Sequence, residues 1–421
     1  MAFQQGLSGL NAASKSLDVI GNNIANANTV GFKASQAQFA DVYANSLLGG
    51  GGNAIGIGTQ ISTVAQQFSQ GNISSTNNPL DIAINGNGFY RLSDNGVISY
   101  SRNGQFQLDN QGFIVNSQGL RLTGYSADAN GVIIPSNPGD LRIDTADIAP
   151  QTTTTLDATL NLDSRLAVPV TAPFNANDPT SYNNSTSVTL YDTLGNPHLL
   201  SLFFVKTNAA NGWNTYATVD GTATTNINLG AGAGNPAALA FSTSGALTTA
   251  MPLNASIDLG QVATDLGLVN GAATPLNFAI DFRGTTQFGA KFGVSSLSQD
   301  GYTSGRLAAL GVSEDGIIQG RYSNGQSRNI GQIVLASFNN AQGLKPLGDN
   351  QWAESSASGP AAVGAPTTGS LGTLQAAAVE DSNVDLTAEL VNMITMQRAY
   401  QANAQTIKTQ DSLLQTLVNL R

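Results

Sequence analysis

Side chains suited to acid–base or metal chemistry are few in this chain and are not clustered in its sequence. His198 is the only histidine, and it follows Pro197 where a predicted turn meets a predicted strand. Asp109, Asp128 and Asp140 are scattered through turns, where aspartate bonds to its own backbone, and their spacing matches no calcium loop. We therefore expect a structural or solvent-facing role for His198, and no metal site.

The motifs of nucleophilic and nucleotide-binding sites are also missing from the sequence. There is no cysteine, so disulfides, thiolate nucleophiles and zinc–cysteine clusters are excluded, and no Gly-x-Ser-x-Gly elbow accompanies His198. The glycine-rich segment GAGAGNP (230–236) has neither Gly-x-Gly-x-x-Gly spacing nor a Gly-Lys-Ser/Thr ending, so we predict a flexible loop there. The protein is predicted not to be an enzyme and to have no catalytic residues, no cofactor and no small-molecule substrate.

The amino-acid composition predicts a surface that is poor in charged groups and rich in amide and hydroxyl groups. The 421 residues are enough for two or three domains. Charged residues make up 10% of the chain, and 17 basic against 27 acidic residues give a net charge of -10; a typical domain has about 25% charged residues. Because nucleic acids and anionic membranes are bound by clustered Lys and Arg, we expect neither as a partner.

Two further features bear on location. The most apolar run, His198–Val205, is far shorter than the roughly 20 residues that span a bilayer. The first residues, MAFQQGLSGLNAASKSLDVIG, lack the basic and unbroken apolar regions of a Sec-type signal peptide. We expect a protein that does not insert into a membrane and whose export uses another route.

Both ends of the chain carry apolar residues at helical spacing. Near the amino terminus the stripe predicts a helix of about six turns and consists of Phe3, Leu7, Leu10, Leu17 and Ile24. A second stripe predicts a helix of about 36 residues, or about 54 Å, and consists of Leu386, Leu390, Met393, Tyr400, Ile407, Leu414 and Val418. Ser382 and Asp385 precede it with capping-box spacing.

Helices this long and this poor in charge need partners along their length. Taken separately, either helix is compatible with an ordinary core helix or with one strand of an isolated coiled coil. Taken together, they favour pairing with each other and with neighbouring copies of the chain. Further apolar residues widen the second stripe: Val391, Ile394, Leu413, Leu417 and Leu420. The polar faces lack the Lys and Arg of helices that lie on membranes.

Between the helices the sequence predicts strands. Turn signals separated by roughly 8 to 12 residues, the mark of antiparallel β-structure, recur from 85 to 131, and a similar texture returns at 311–338. The region 152–298 contains a strand, turn, strand pattern in TSVTLYDTLGNPHLLSLFFVKT (186–207), followed by the predicted strand GWNTYATV (212–219).

We therefore predict an α+β multidomain fold, in which long terminal α-helices pair as a coiled coil and two mainly antiparallel β-domains are nested between them. The predicted boundaries are 1–30 and 383–421 for the terminal helical domain, 31–71 for a linker, 72–150 and 299–382 for the middle β-domain, and 151–298 for the inserted outer β-domain. Within the linker, ADVYANSLL (40–48) is compatible with a short helix, and GGGG (49–52) is a flexible break.

Several segments resemble one family. LDVIGNNIANANTVGFK (17–33) resembles the amino-terminal signature of flagellar rod and hook subunits, and NVDLTAELVNMITMQRAYQANAQTIKTQDSLLQTLVNL (383–420) their carboxyl-terminal one. GNGFYRLSDNGVISYSRNGQFQLDNQGFIVNSQGLRLTGY (86–125) is similar to their common β-domain, and VTLYDTLGNPHLLSLFFVKT (188–207) resembles the outer domain of hook subunits. The chain thus resembles the bacterial flagellar axial proteins, hook subunits in particular, and does so least around 222–280.

The resemblance implies a structural subunit of the hook. Copies would stack helically into a hollow, curved and flexible tube that transmits motor torque from rod to filament as a universal joint, with terminal helices inside and β-domains outside. The implied partners are other copies of the chain and the distal rod, hook cap and hook–filament junction proteins. The implied location is extracellular, reached through flagellar type III export without a cleaved Sec signal peptide.

In such a tube we predict that both apolar stripes pack between subunits. The amides of Asn22, Asn23, Asn26 and Asn28 would be satisfied across the same contacts, because neutral hydrogen-bonding groups cost less to bury than charges. Gly31 would let the chain turn out of the helix toward the β-domains.

Two alternatives remain open from the sequence. A distal rod subunit would have the same ends but form a rigid, straight product; the chain length and the segment YDTLGNPH (191–198) favour the hook. A secreted β-rich enzyme or carbohydrate-binding protein would share the composition, but would not need helical stripes at both termini.

Overall fold

The computed structural model of the chain describes residues 2–42, 56–128, 130–269 and 271–419. It divides into two compact units. The first unit comprises Met1–Thr145, Ala308–Arg321 and Ser327–Arg421, and the second comprises Ala146–Leu307 and Tyr322–Gln326. The second unit is thus inserted in the sequence of the first.

The helices and strands are numbered in chain order. The first stretch contains α1 (Ala2–Ala25), β1 (Ser35–Val42), β2 (Gly58–Gln66), β3 (Ile73–Ser75), β4 (Ile82–Asn85), β5 (Phe89–Asp94), β6 (Val97–Ser101), β7 (Gln107–Leu108), β8 (Ile114–Val115), β9 (Arg121–Ser126) and β10 (Gly139–Asp140). The second contains β11 (Thr155–Asn161), β12 (Asn184–Tyr191), β13 (Pro197–Lys206), β14 (Gly212–Val219), β15 (Ile227–Asn228), β16 (Ala237–Ala240), β17 (Leu253–Ile257), α2 (Leu259–Asp265), β18 (Leu276–Asp281) and β19 (Gly293–Gln299). The third contains β20 (Leu307–Val312), β21 (Ile317–Tyr322), β22 (Ser327–Ile333), β23 (Leu335–Ser337), β24 (Lys345–Gly348), β25 (Gln351–Ala353), β26 (Ala362–Gly364), β27 (Thr373–Ala376), β28 (Ala378–Glu380) and α3 (Leu386–Asn419).

The terminal helices α1 and α3 run antiparallel and are in contact. Gly6 lies beside Ile407, and near the other end of the contact Asn23 donates a hydrogen bond to Glu389. Because α1 has 24 residues and α3 has 34, the last turns of α3 extend past the start of α1. Helices and mainly antiparallel strands together confirm the predicted α+β class.

Local hydrogen bonds set the start of α3. Asp385 caps the helix, since its carboxylate accepts from the N–H groups of the second and third helical residues at 2.9 and 3.1 Å. The predicted capping box with Ser382 is wrong: the Ser382 hydroxyl accepts from the Val384 N–H at 3.3 Å, outside the helix. The spacing identified the right segment but placed the cap three residues too early.

The chain leaves α1 through a turn at Gly31. Its φ is +72°, and an added Cβ would lie 2.7 Å from the backbone nitrogen of Asn103, so glycine is required there. The Gly31 N–H donates to the Glu380 carbonyl at 2.8 Å. The structure therefore agrees with the expected exit from the helix at this position.

Where the sequence predicted a linker, β1 and β2 form an antiparallel hairpin. Its register runs from Ser35 opposite Gln66 to Val42 opposite Gly58. The first residues of ADVYANSLL belong to β1 rather than to a helix; the remainder of that segment and GGGG (49–52) lie outside the described residues. Strand β1 reads SQAQFADV and has one β-branched residue, so its composition gives little strand signal.

The main sheet of the first unit has the strand order β20-β21-β22-β9-β5-β6-β25-β24. The β5–β6 hairpin closes on Asn95 and Gly96, whose φ angles are 49° and 99°, as a two-residue hairpin turn requires. Strand β28 pairs with β3 and β27 with β4. These pairings bring the segment before α3 next to the strands that follow the β1–β2 hairpin.

The second unit consists of two sheets around one apolar core. The strand orders are β15-β17-β18-β11-β19 and β12-β13-β14-β16, and core residues such as Leu156, Phe204 and Val262 come from both sheets and α2. Strands β12, β13 and β14 pair in sequence, which confirms the predicted strand, turn, strand pattern and the third strand after it. The segment 230–236 is a loop between β15 and β16.

Candidate assembly surface

A row of small residues on α1 lets α3 approach closely. The row consists of Gly6, Gly9 and Ala13, and we call it the small-residue seam. A Cβ added at Gly9 would lie 2.8 Å from the side-chain amide of Asn403, and one added at Gly6 would lie 3.1 Å from Cγ1 of Ile407. Ala13 is buried. Larger side chains in this row would push the two helices apart.

Most of the predicted apolar stripe lies beside this seam and not in it. Half-buried members are Leu10, Leu17, Ile24, Met393 and Ile407. Members that stay exposed, by between 38% and 56%, are Phe3, Leu7, Leu386, Leu390, Tyr400 and Leu414. The side chain of Val418 lies outside the described residues. The contact between α1 and α3 therefore covers only part of the apolar surface of either helix.

Several uncovered apolar residues near the start of α3 are contiguous. Leu386, Leu390 and Ile394 follow one another at intervals of four residues and form what we call the exposed apolar row. Val391 flanks this row and is 58% exposed, and Leu413 is exposed on the last turns of α3. Contiguous apolar surface of this kind on a single chain marks an interaction site.

Sequence reasoning missed the small-residue seam because it searched for large apolar side chains. The signal was present: Gly6, Gly9 and Ala13 recur at intervals of three and four residues, the helical spacing that places small residues on one face. Asn403, which lies against the seam, is polar and was not a candidate either.

Asn23 makes its hydrogen bonds within the chain. Its Nδ2 donates to the Ser35 carbonyl at 2.8 Å and its Oδ1 accepts from the Ser35 N–H at 2.9 Å. The same Nδ2 lies 3.1 Å from Oε1 of Glu389. Asn23 is 1% exposed. Instead of the predicted bonds across subunits, this amide joins α1 to the start of β1 and to α3.

The neighbouring amides also bond locally. The Asn26 Nδ2 donates to the carbonyl and to Oδ1 of Asn22, at 3.0 and 2.9 Å, and the Asn26 Oδ1 accepts from the Thr29 hydroxyl at 3.1 Å. These bonds shape the turn after α1. Asn22 and Asn26 also line an open cleft of about 430 Å³ together with Trp352, and Asn28 is exposed.

A buried ion cluster connects the segments next to both terminal helices. Lys33 Nζ lies 2.6 Å from Glu380 Oε1, and Arg102 Nη1 lies 3.2 Å from Glu380 Oε2. Lys33 also donates to the Ser69 carbonyl at 2.8 Å, and Glu380 Oε1 accepts from the Gly71 N–H at 2.9 Å. We call Lys33, Arg102 and Glu380 the ion cluster. It connects three segments of the chain: the segment that follows α1, the end of β6, and strand β28, which precedes α3.

Burial governs the ionisation of the two cations. Desolvation lowers the pKa of Lys33 and of Arg102 below their ordinary values, and the Glu380 carboxylate opposes both shifts. A buried charge is costly without a partner. Glu380 is thus the group on which both cations depend.

His198, the only histidine considered for acid–base chemistry, makes structural contacts. His198 is buried in the second unit between Asp192 and Asp220, in agreement with the structural role expected. Among the described residues, no group of three or more His, Asp or Glu side chains is arranged to hold a metal ion. None of the helices in the described part of the chain has the length and apolar character needed to cross a membrane.

Sequence profiles of known families match four consecutive parts of the chain. The profile "Flagella basal body rod protein" matches residues 3–33, and "Flagellar hook protein FlgE/F/G D1 domain" matches 83–147. "Flagellar basal body protein FlaE D2 domain" matches 161–302, and "Flagellar basal body rod FlgEFG protein C-terminal" matches 375–420. Together these matches include both terminal helices and a large part of both units.

Full-length relatives are similar over the whole chain. The flagellar hook protein FlgE of Escherichia coli (strain K12) is 45% identical over 426 residues, covering 100% of both chains. FlgE of Salmonella typhimurium is 44% identical over 429 residues with the same coverage, and FlgE of Borreliella burgdorferi is 34% identical over 450 residues, covering 100% of this chain and 99% of its own. The crystal structure of Helicobacter pylori flagellar hook protein FlgE2 is a distant match, with 13% identity and a TM-score of 0.49 over 72% of this chain and 99% of its own.

Proposed function

Because the chain belongs to the flagellar hook protein family and is a structural subunit of the hook, we propose that its terminal helices pair as a coiled coil and carry the contacts that assemble copies into a hollow, curved tube. In this proposal the exposed apolar row packs against helices of neighbouring copies. The β-structure forms the outer layers.

The observation that carries the proposal is the uncovered apolar surface of α3. Leu386, Leu390 and Ile394 stay exposed although α1 is already packed on another side of the helix. Apolar surface on a second side of a helix favours a second packing partner, because covering it removes apolar area from water. Further copies of the same chain are the partners that a homopolymer supplies, and a helical polymer needs contacts between different surfaces of successive copies.

In this proposal the ion cluster transmits force between the terminal helices and the β-structure. Torque that enters through the terminal helices has to reach the β-structure, and Lys33, Arg102 and Glu380 join the two where the chain enters and leaves the helices. Their buried, hydrogen-bonded geometry makes this junction stiff. The charge-poor β-surfaces, in contrast, offer polar contacts that shift at low cost, as a joint that bends while it rotates requires.

We also propose specific partner proteins and a route of export. The distal rod, the hook cap and the hook–filament junction are proposed as neighbours at the two ends of the tube, and type III export is proposed to deliver the chain unfolded. A distal rod subunit and a carbohydrate-binding protein, the two alternatives from sequence, are disfavoured because the full-length relatives are hook proteins.

Electron microscopy of the purified full-length chain under polymerising conditions tests the proposal. We expect hollow, supercoiled tubes with helical density at the inner wall. A chain that remained a stably helical monomer at high concentration, with α3 protected from proteolysis, would show that the apolar surface is covered in some other way.

A further inference from the structure

One imidazole connects the ends of three neighbouring strands in the second unit. His198 is the second residue of β13, Asp192 follows β12, and Asp220 follows β14. The His198 Nδ1 lies 2.7 Å from Asp220 Oδ2, and its Nε2 lies 3.4 Å from Asp192 Oδ2. His198 is 8% exposed and Asp192 is fully buried. The ring therefore bridges two carboxylates that belong to different strands.

Both carboxylates are held in place by other bonds. The second oxygen of Asp192 accepts from the backbone N–H of Asn196 at 2.9 Å, and the second oxygen of Asp220 accepts from the backbone N–H of Leu199 at 2.6 Å. Neither group is free to turn away from His198. When the charge of the ring changes, its hydrogen bonds to Asp192 and Asp220, which connect the strand ends, therefore change as well.

Asn196 lies beside the ring and its Nδ2 donates to Asp192 Oδ2 at 2.9 Å, whereas the residues that α2 contributes on the other side are apolar. Helix α2 contributes Leu259, Val262 and Ala263, and the turn after it contributes Leu266; these residues line a cavity of about 450 Å³ together with His198 and Asp220. Among the described residues, the charged groups that face the imidazole are thus Asp192 and Asp220, and the side toward α2 is apolar.

We propose that Asp192, His198 and Asp220 form a pH-dependent clasp that holds the ends of β12, β13 and β14 together when the imidazole is charged and loosens them when it is neutral. The reason is the number of donors. An imidazolium donates from both ring nitrogens, whereas a neutral imidazole donates from one. Loss of the proton leaves one of the two fixed carboxylates facing a lone pair. The end of the sheet then opens beside the cavity.

The pH range follows from the three groups. The hydrogen bond to Asp220 raises the pKa of His198 above its ordinary value of 6.5, against the effect of burial. Burial by itself would raise the pKa of each aspartate, but hydrogen bonds from Asn196 and His198 to Asp192, and from His198 and Leu199 to Asp220, lower it below 3.8. Between pH 3.8 and 6.5 each of the three groups is therefore more than half charged. Its contribution to stability is lost above the raised pKa of His198 and, in acid, below the lowered pKa values of the aspartates.

Because the chain has a single histidine, an NMR titration of the full-length, unassembled protein follows this one ring. We expect its midpoint to lie above 6.5, and to move downward in the Asp220→Asn variant. A midpoint at or below that value in the unsubstituted protein would overturn the proposal, and this measurement does not depend on whether the variant folds.

Thermal unfolding provides a second measurement, with His198→Gln as the comparison. Glutamine retains a side-chain donor but does not titrate. We expect the difference in Tm between pH 6 and pH 9 to be larger in the unsubstituted protein than in the variant, with the lower Tm at pH 9. The same pH dependence in both proteins would show that the ring does not act as a clasp.

Discussion

Lys33 and Glu380 form an ion pair with 2.6 Å between Nζ and Oε1 and no exposed surface on either side chain, although 347 positions separate them in the sequence. Lys33 lies shortly after α1, and Glu380 ends the strand that precedes α3. The segments next to the two terminal helices are therefore joined by a buried ion pair within the first unit. Substitutions in the ion cluster are expected to disturb both ends of the chain together.

Glu380→Gln removes the charge that Lys33 and Arg102 share. We expect it to destabilise the first unit by about 3–5 kcal/mol at pH 7, because it leaves two buried cations without a counter-charge. Urea unfolding monitored by circular dichroism measures the loss. The matched control is Asp18→Asn, which breaks the Lys15–Asp18 pair at 62% and 64% exposure and should have little effect.

The stability of Glu380→Gln, relative to that of the unsubstituted protein, should depend on pH in a defined direction. Burial lowers the pKa of Lys33, and the loss of Glu380 lowers it further, so the unfolded chain binds the proton more tightly than the folded one. Stability relative to the unsubstituted protein should then rise as the pH approaches 10.5, the ordinary value for lysine. A difference that stayed constant from pH 7 to 10 would argue against a buried ammonium group as the cause.

Gly9→Ala tests the close approach of the terminal helices. Both Gly9 and Gly21 lie inside α1, but an added Cβ meets Asn403 at 2.8 Å from Gly9 and meets nothing within 4 Å from Gly21. Gly21→Ala should stabilise α1 by roughly 0.5–1 kcal/mol through helix propensity. Gly9→Ala should lose this gain and weaken the packing against α3 by about 1–3 kcal/mol, as measured by helix content during thermal unfolding.

A second substitution provides the control for this collision. Asn403→Ala removes the atoms that the new methyl group would meet, so combining it with Gly9→Ala should restore helix content and tube formation toward the level of Asn403→Ala alone. If the double variant were as defective as the sum of the single ones, the seam would not be the site of contact.

Asn23→Leu tests the junction of α1 with the β1–β2 hairpin. It removes both hydrogen bonds to Ser35 and leaves a backbone donor and acceptor unpaired, at a cost of roughly 1–3 kcal/mol. Asn28→Leu, at an exposed position of the same segment, should change the unfolding free energy little. Equal effects of the two substitutions on urea unfolding of the monomer would contradict an intrachain role for Asn23.

Leu390→Asp tests the exposed apolar row. Because Leu390 is 49% exposed, we expect the monomer to keep its fold while the critical concentration for tube formation rises at least tenfold, which corresponds to about 1.4 kcal/mol of assembly free energy. Gln405→Asp adds the same charge on the same helix, at a position without a large apolar neighbour one turn away. Sedimentation of the polymer measures both, and similar defects in the two variants would point to a charge effect.

Deleting most of the second unit tests its contribution to bending. Ile148 and Gly305 exchange backbone hydrogen bonds of 2.9 and 3.3 Å, so a two-residue turn between them can replace residues 149–304. We expect the first unit to fold and tubes to form, with altered supercoil and easier bending in electron micrographs. Tubes with the curvature and stiffness of the full chain would show that the second unit does not govern either property.

The sequence allowed prediction of the elements that depend on local pattern. The helices at both ends, the strand, turn, strand of β12 and β13, and the exit at Gly31 follow from helical spacing, alternation and turn chemistry. The β1–β2 hairpin was not predicted, because β1 is poor in β-branched residues and gives little strand signal by itself. It is stabilised by pairing with β2, in which the partner of Ser35 is Gln66, far away in the sequence.

The candidate site was predicted only in part for a related reason. Large apolar residues such as Leu390 were recognised as surface that needs covering, but the contact within the chain is made through glycine and alanine, which carry little hydrophobic signal. The ion cluster is a pairing of Lys33, Arg102 and Glu380 across most of the chain. No local rule relates charges so far apart in sequence, so it could be found only in the folded structure.

The order of these residues along the chain has a consequence for the order of folding. A polypeptide that emerges amino terminus first presents Lys33 and Arg102 long before Glu380, and α1 long before α3. Until residue 380 has appeared, both cations lack their carboxylate and the first helix lacks its contact with α3. The contacts between the two ends of the molecule therefore form only after almost the whole chain has been synthesised.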